Sequence, residues 1–423
     1  MEKLAYFGGE PVRKQPFPSN YIGAAMVGDE ELEEIKEVIS ERSLFRHYGM
    51  GNPQKVNTFE SKLSEYFGGK LALAVSSGSA SLYCAAVALG VGPGDEVIIP
   101  SFGWYPLFNA VANMGALPVF ADIDESLHMD PADLERKITN NTKAAFVIHY
   151  QGRAANLDAL MKITAKHGIK LVEDCAQGFG AFYGDKPVGS YGDIACLSFQ
   201  QNKFITSGEG GALITGCEEF YARAAFYHDM GIIRPIFAKR LSDKSLYEPS
   251  NAFYAMQFRM GELPAACLLG QLKRFDGMKR HCRENYRRIC NHFEGNEYFR
   301  IIHSEGDSGI TVFLLFADSA KAAEFKKYIE AEGVVAGGTS ACANIVEKYP
   351  IMSKKQPHNA LPPFGKGYPG EYVTYNIENC CPNTNEMISR NVAIGLGVLY
   401  GEKEITDIID AIEKVCGHLD WGK

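Results

Sequence analysis

Residues 169–177 read IKLVEDCAQ and residues 194–203 read IACLSFQQNK, two apolar runs that each give way to polar side chains. The apolar part of each run lacks polar alternation, which is typical of a strand buried on both faces of a parallel sheet. In such a sheet the carboxyl ends of the strands open onto one ligand crevice. We therefore expect Asp174 and Ser198 to share a site, with Lys203 on the loop that leaves the second strand.

The same pattern continues on both sides of these two runs. Further apolar runs alternate with helical patterns, as in a sheet wound with helices on both faces. The predicted strands cover residues 71–75, 96–100, 117–121, 144–149, 169–173, 194–199 and 212–215, and the predicted helices include 79–89, 131–138 and 157–167. The predicted fold class is therefore α/β, with a large, mainly parallel sheet.

The C-terminal part of the chain predicts a second, smaller domain. Strand and helix patterns alternate again there, with a strand pattern at residues 311–316 and helical patterns at 319–331, 385–399 and 404–415, after a helical pattern that begins at Glu262. A chain of 423 residues is long enough for two cores. We expect residues 1–265 to hold the large α/β domain and residues 266–423 a smaller α+β domain. The irregular stretch at 228–259 is long enough to indicate a functional segment.

Composition argues against several classes of function. The formal net charge is −8 and no run of five Lys or Arg residues occurs, so a nucleic-acid partner is not expected. The chain contains no apolar core of signal-peptide length and no stretch of eighteen apolar residues, which predicts a cytoplasmic protein without a membrane segment. Eleven cysteines without a CxxC pair and ten histidines without a close ligand pair predict reduced thiols and no metal site.

The polar residues after the two runs suit a pyridoxal 5′-phosphate (PLP) site. A buried carboxylate such as Asp174 keeps the pyridine nitrogen of that cofactor protonated. A lysine such as Lys203 can carry the cofactor as a Schiff base and then move a proton. The Gln177 amide can donate a hydrogen bond to the phenolic oxygen. Each of these residues alone is typical of a protein surface or a helix cap, but their ordered combination predicts PLP binding.

The phosphate of the cofactor needs oriented N–H groups, and residues 76–81, SSGSAS, can provide them. This stretch follows a predicted strand and opens an alanine-rich helix, whose first N–H groups and dipole favour an anion. We expect Gly78 and Ser79 to hold the phosphate, with a hydroxyl from Ser198. Trp104 lies just past another predicted strand; its indole is suited to stack on the pyridine ring, and the alternative is an ordinary core position.

Beyond these residues, the chain resembles the DegT/StrS family of sugar aminotransferases over nearly its whole length. The resemblance rests also on LAYFGGEPVR at residues 4–13, GPGDEVI at 92–98 and FRM at 258–260. It implies the PLP-dependent transferase type I fold and the site roles given above. It also implies a homodimer with shared active sites, in which an Asn of the partner subunit completes the phosphate site.

One position of the phosphate site departs from the family pattern. Gln257 stands two residues before Arg259, where the family has the Asn that binds the phosphate across the interface. We expect Gln257 to be lent to the partner subunit in its place. The alternative is a polar loop residue without such a role.

The acceptor side of the site differs as well. Residues 337–344 read GGTSACAN where members that act on nucleotide-linked sugars usually carry a His-Tyr motif. Residues 306–309 and 385–390 resemble the branch that aminates an eight-carbon keto-sugar acid. Gln200 and Gln201 resemble members that form aminocyclitols. Both possibilities stay open.

The resemblance implies an aminotransferase that moves an amino group from glutamate or glutamine to a keto or aldehyde group of a sugar, sugar acid or cyclitol. Two alternatives exist on the same fold. A sugar dehydratase of this family carries His at the position of Lys203, so the lysine argues against it. A non-catalytic regulator would not need Asp174, Gln177 and Lys203 together.

Overall fold

The elements of the chain alternate between strand and helix as the sequence indicates. The computed structural model describes residues 2–52, 54–337, 343–345 and 380–421. The strands are β1 Leu71–Val75, β2 Glu96–Pro100, β3 Phe102–Gly103, β4 Leu117–Ala121, β5 Thr142–Ile148, β6 Lys170–Asp174, β7 Phe182–Tyr183, β8 Lys186–Pro187, β9 Ile194–Ser198, β10 Gly211–Thr215, β11 Phe299–Ile301, β12 Thr311–Phe316, β13 Ala336–Gly337, β14 Ala343–Asn344 and β15 Asn391–Gly395. The helices are α1 Ile22–Ala25, α2 Asp29–Ser40, α3 Lys55–Tyr66, α4 Gly78–Ala88, α5 Pro106–Ala112, α6 Pro131–Lys137, α7 Leu157–His167, α8 Glu218–His228, α9 Pro235–Ala238, α10 Glu262–Leu272, α11 Phe275–His292, α12 Ser319–Ala331, α13 Asn383–Ser389 and α14 Glu402–Cys416.

A seven-stranded sheet forms the large α/β unit. Its strand order is β1-β10-β9-β6-β5-β2-β4. The five strands from β9 to β4 run parallel, while β10 is antiparallel to both β9 and β1. All five residues of β9 are buried, as expected for a strand covered on both faces. The predicted α/β class with a mainly parallel sheet is confirmed, and each strand predicted in this part of the chain is present within two residues at either end.

A smaller antiparallel sheet, ordered β11-β12-β15-β13, forms the second unit. Its core includes residues of α12 and α14. The predicted helix at 385–399 is wrong in its second half: α13 ends at Ser389 and β15 pairs antiparallel with β12. Val392 and Ile394 bury their β-branched side chains in this pairing, which favours a strand.

The N-terminal segment packs on the second unit. Leu4 is buried in the core of that unit, and Arg13 donates hydrogen bonds to Asp407 at 2.6 Å and to Glu404 at 3.1 Å. The division into residues 1–265 and 266–423 stays a prediction. Among the described residues, no helix combines the length and apolar character needed to cross a lipid bilayer.

Candidate active site

The carboxyl ends of two adjacent parallel strands bring the predicted residues together. Asp174 is the last residue of β6 and Ser198 the last of β9, and Asp174 faces Cys196 in the register of this pair. Lys203 lies on the loop that leaves β9 and is partly buried. Burial raises the pKa of the Asp174 carboxyl group overall, and the charge of Lys203 opposes this rise. Lys203 is therefore close enough to Asp174 for its charge to act on the carboxyl group.

Asp174 is a buried carboxylate with few donors. Only 6% of its surface is exposed, and its Oδ1 accepts the Ala176 N–H at 2.9 Å. Burial raises the pKa of Asp174, although the Ala176 N–H and the charges of Lys203 and His149 act in the opposite direction. Such a carboxylate is stabilised by a cation that approaches from the crevice.

Glu173, the preceding residue, has the opposite environment. Its carboxylate accepts N–H groups from Gly189 at 2.7 Å, from Tyr191 at 2.8 Å and from Gly192, and it contacts His149 Nε2 at 2.8 Å. Burial alone would raise the pKa of Glu173, but the His149 interaction and these N–H groups lower it overall.

His149 is oriented by a second contact. Its Nδ1 accepts the Ala155 N–H at 3.1 Å, so Nε2 carries the proton and donates to Glu173. The ligand atoms of His149, Glu173 and Cys175 lie within 4.8 Å of one another, a spacing that a metal ion could use. Because the Glu173 oxygens already accept four donors, we regard this group as structural. His149 was not among the predicted site residues, although a histidine as the last residue of a predicted strand, at the same sheet edge as Asp174, was a usable signal.

The start of α4 packs directly against Ser198. Ser77 caps the helix, and its Oγ accepts the Ala80 N–H at 3.0 Å. A Cβ atom on Gly78 would lie 2.6 Å from the Ser198 Cβ and 2.9 Å from its Oγ, so only glycine fits there without displacement. The first-turn N–H groups at Gly78 and Ser79 and the Ser198 hydroxyl thus lie side by side, an arrangement that suits a phosphate group.

Gln177 and Trp104 occupy the same edge of the sheet. Gln177 follows Asp174 by three residues and is partly buried, and its carbonyl accepts the Gly152 N–H at 2.7 Å. Trp104 follows β3, is 51% exposed, and stacks on Tyr105 with ring centroids 5.1 Å apart.

Gln257 lies in a segment that is fixed close to α4 of its own chain. Its backbone bridges to Asp229, and the carbonyl of the next residue, Phe258, accepts the Ser76 N–H at 2.7 Å. The Gln257 side chain itself is exposed. Residues 338–342 of the segment GGTSACAN lie outside the described residues.

A buried charge cluster anchors this segment, and the sequence analysis missed it. Asp229 is fully buried, accepts hydrogen bonds from Arg234 Nε at 2.9 Å and from Arg259, and lies 3.2 Å from His47 Nε2. Burial would raise the pKa of Asp229, but these three partners lower it well below its usual range. The cluster therefore fixes Arg259, two residues after Gln257, and Asp229, whose backbone bridges to Gln257.

Comparisons with known proteins agree on one family. The sequence profile of the DegT/DnrJ/EryC1/StrS aminotransferase family matches residues 26–413. The chain is 32% identical to L-glutamine:2-deoxy-scyllo-inosose aminotransferase of Micromonospora echinospora over 98% of both chains. It is 35% identical to putative L-glutamine:3-amino-2,3-dideoxy-scyllo-inosose aminotransferase of the same organism, over 66% of this chain and 63% of that relative.

Solved structures confirm the fold. The crystal structure of 3-amino-5-hydroxybenzoic acid synthase superposes with a TM-score of 0.76 and 25% identity, covering 97% of this chain and 100% of the other.

Proposed function

Because the chain belongs to the DegT/DnrJ/EryC1/StrS aminotransferase family, we propose that it moves an amino group from glutamine or glutamate to a keto or aldehyde group of a sugar, sugar acid or cyclitol, with PLP as its cofactor. The observation that carries the proposal is the convergence of Asp174 and Ser198 at the carboxyl ends of two adjacent parallel strands, with Lys203 on the loop that leaves the second strand and the start of α4 packed against Ser198. The full-length match to a glutamine-dependent cyclitol aminotransferase favours glutamine as donor and a cyclitol within this acceptor class.

The residues of the crevice fit PLP. Gly78 packs against Ser198, so the first turn of α4 and the Ser198 hydroxyl are close together and can offer N–H and O–H groups to a phosphate. The donor-poor Asp174 carboxylate suits a protonated pyridine nitrogen. When bound, PLP supplies a carbonyl group that exchanges between amines and a ring that accepts electrons from the substrate carbon.

Each of the predicted site residues then has its own role toward the cofactor. Asp174 would hold the proton on the pyridine nitrogen, since a positive ring would favour the charged form of a carboxyl group whose pKa burial has raised. Lys203 would bind the cofactor covalently, and its amine, when free, would move a proton at the substrate carbon. Gln177 would donate a hydrogen bond to the cofactor, and Trp104 would offer an aromatic surface to its ring.

A cofactor-labelling experiment tests this function. Purified protein should be yellow, and borohydride should fix the cofactor on the peptide that contains Lys203, because a reducible C=N bond joins them. Lys203→Ala should still bind the cofactor without a covalent bond but should lose turnover with glutamine. Cofactor fixed on another lysine would overturn the assignment. Labelled protein that takes no amino group from glutamine or glutamate would favour the dehydratase or regulator alternatives.

We also propose a cytoplasmic homodimer with shared active sites, in which Gln257 contacts the phosphate of the partner. Exposed apolar side chains at Met230, Tyr254 and Met256 surround the exposed Gln257, and such a surface favours burial against a second copy. A twofold dimer has an isologous interface, so each subunit lends Gln257 and receives one in return.

Mixed dimers test the shared site. Lys203→Ala and Gln257→Ala proteins, each poorly active alone, should be unfolded, mixed in equal amounts and refolded. Each mixed dimer then holds one intact site, and about a quarter of all sites should recover activity by statistical pairing. If Gln257 served the Lys203 of its own chain, no mixed dimer would hold an intact site. Mixed dimers that form without recovery, with Gln257→Ala impaired, would reject sharing.

A further inference from the structure

We propose that Gln151 determines acceptor specificity, by donating a hydrogen bond from its side-chain amide to a hydroxyl group of the acceptor. This inference rests on the proposed function, because it requires a polyhydroxyl ketone bound beside Lys203. Three observations carry it: the backbone conformation of Gln151, the contact of its side chain, and its place at the carboxyl edge of the sheet beside the loop that follows Asp174.

The backbone at Gln151 is left-handed. Its φ and ψ are 48° and 47°, between Tyr150 and Gly152 just after β5. A side chain other than glycine or asparagine rarely adopts this region, and such a conformation persists only where the surroundings impose it. The conformation turns the residue away from the strand direction at the carboxyl edge of the sheet.

Two backbone hydrogen bonds hold this turn between the two units. The Gly152 N–H donates to the Gln177 carbonyl at 2.7 Å, and the Ser308 N–H donates to the Gly152 carbonyl at 2.8 Å. The first bond ties the turn to the loop that carries Asp174. The second ties it to the chain that enters β12. Gln151 therefore lies where the crevice meets the second unit.

The Gln151 side chain is oriented by one contact. Thr311, at the start of β12, donates from its Oγ1 to Gln151 Oε1 at 3.2 Å. This contact occupies the acceptor end of the amide and leaves its two N–H groups for another partner. The side chain is half-buried, so the amide nitrogen is held in a fixed direction without being sealed from solvent.

Contacts on two sides connect the turn at Gln151 with the elements that carry Asp174 and Lys203. Through Gly152 the turn is bonded to Gln177, three residues after Asp174. Through Thr311 it meets β15, since Thr311 pairs with Gly395, where an added Cβ atom would lie 2.7 Å from Asn20 Nδ2. The same N-terminal segment reaches the loop of Lys203, since the Gly23 N–H donates to the Lys203 carbonyl at 3.2 Å. An amide at this edge of the sheet suits a hydroxyl group of the acceptor better than an apolar ketone.

Separate measurement of the two half-reactions tests Gln151. The donor half-reaction is the conversion of holoenzyme by glutamine, followed by its absorbance, and the acceptor half-reaction uses scyllo-inosose as probe. In Gln151→Ala the rate of the donor half-reaction should stay within about twofold of the wild-type rate. In contrast, kcat/KM for scyllo-inosose should fall about tenfold, mostly through a higher KM, as expected for the loss of one neutral hydrogen bond. Thr311→Val should show a smaller fall in the same direction, since the amide loses its orientation. Gln15→Ala, at an exposed position, serves as the matched control and should change neither.

Equilibrium binding gives a readout that does not depend on turnover. In a Lys203→Ala background loaded with pyridoxamine 5′-phosphate, calorimetry should show about tenfold weaker binding of scyllo-inosose when Gln151→Ala is added. Unchanged acceptor kinetics and binding would overturn the proposal, as would an equal fall in both half-reactions. A wild-type enzyme that accepts pyruvate, which has no hydroxyl group, and ignores scyllo-inosose would overturn it too. If the wild-type enzyme takes no amino group from glutamine or glutamate, the proposed function is rejected, and not only the role of Gln151.

Discussion

Two carboxylates stand next to each other at the end of β6, Glu173 on one face of the strand and Asp174 on the other. Both are buried. Glu173 accepts three backbone N–H groups and the His149 Nε2 proton, and its pKa is lowered. Asp174 accepts the Ala176 N–H, and burial raises its pKa. The two carboxylates are adjacent in the sequence, but Glu173 accepts four hydrogen bonds and Asp174 accepts one from the Ala176 N–H.

The difference in hydrogen-bond donors indicates that the two carboxylates have different roles. A buried carboxylate with four donors is stable without a ligand and fixes the loop at 189–192 to the strand. A buried carboxylate with few donors destabilises the fold until a cation meets it. The comparison therefore assigns stability to Glu173 and ligand binding to Asp174, and each assignment can be tested by removing one charge.

The largest effect is expected for Asp174→Asn on turnover. The substitution keeps the shape and the Ala176 contact but removes the charge that keeps the pyridine nitrogen protonated. Activity with glutamine should fall on the order of 10³-fold, while the free energy of unfolding of the apoprotein should not decrease. Steady-state kinetics and urea denaturation measure the two quantities. An Asp174→Asn enzyme with near-normal turnover would remove the distinction between the two carboxylates.

Glu173→Gln should affect stability instead. The new amide places an NH2 group among N–H donors and leaves part of the buried network without an acceptor. The free energy of unfolding should fall by about 3 kcal/mol, as for breaking a buried charged network. Denaturation of the apoprotein measures it, with Asp174→Asn as the matched control. Equal stability of the wild type and Glu173→Gln would mean that the four donors contribute little.

The smallest effect is expected in the pH dependence of apoprotein stability. Because burial raises the folded pKa of Asp174, the folded state binds more protons than the unfolded state between the two pKa values. The wild type should therefore lose stability relative to Asp174→Asn as pH rises from about 4 towards 7. Glu173 has the opposite effect. Because its folded pKa is lowered, its contribution to the free energy of unfolding is present at neutral pH and is lost as pH falls. Denaturation at several pH values checks this, and a difference independent of pH would contradict it.

Local sequence patterns were sufficient for most of the large unit. Apolar runs without alternation mark strands that are covered on both faces, and α7 matches its predicted limits because Asn156 caps it and Gly168 ends it in a left-handed conformation. The segment after α13 could not be predicted in the same way. Residues 391–395 form a strand only because β12 lies beside them, and that neighbour is eighty residues distant in the sequence.

The site shows the same division. Lys203 and Asp174 could be proposed because strand ends converge in a parallel sheet and because the order of the motifs is specific. The N–H donors of Glu173 lie on a loop 16 to 19 residues further along, and Arg259 reaches Asp229 across 30 residues, so no periodic pattern marks these contacts. Gln151 was not predicted, since its position depends on a left-handed turn that the sequence YQG does not require.

The contact between Arg13 and α14 has a consequence for the order in which the chain acquires its structure. It joins the N-terminal segment to α14, with a sequence separation of 394 between Arg13 and Asp407. On the ribosome the strands β1 to β10 are available for pairing long before α14 is made, whereas the N-terminal segment has to wait for α14. The second core therefore closes after the large sheet, and the buried Arg13 gains its carboxylate partners only once α14 has been synthesised.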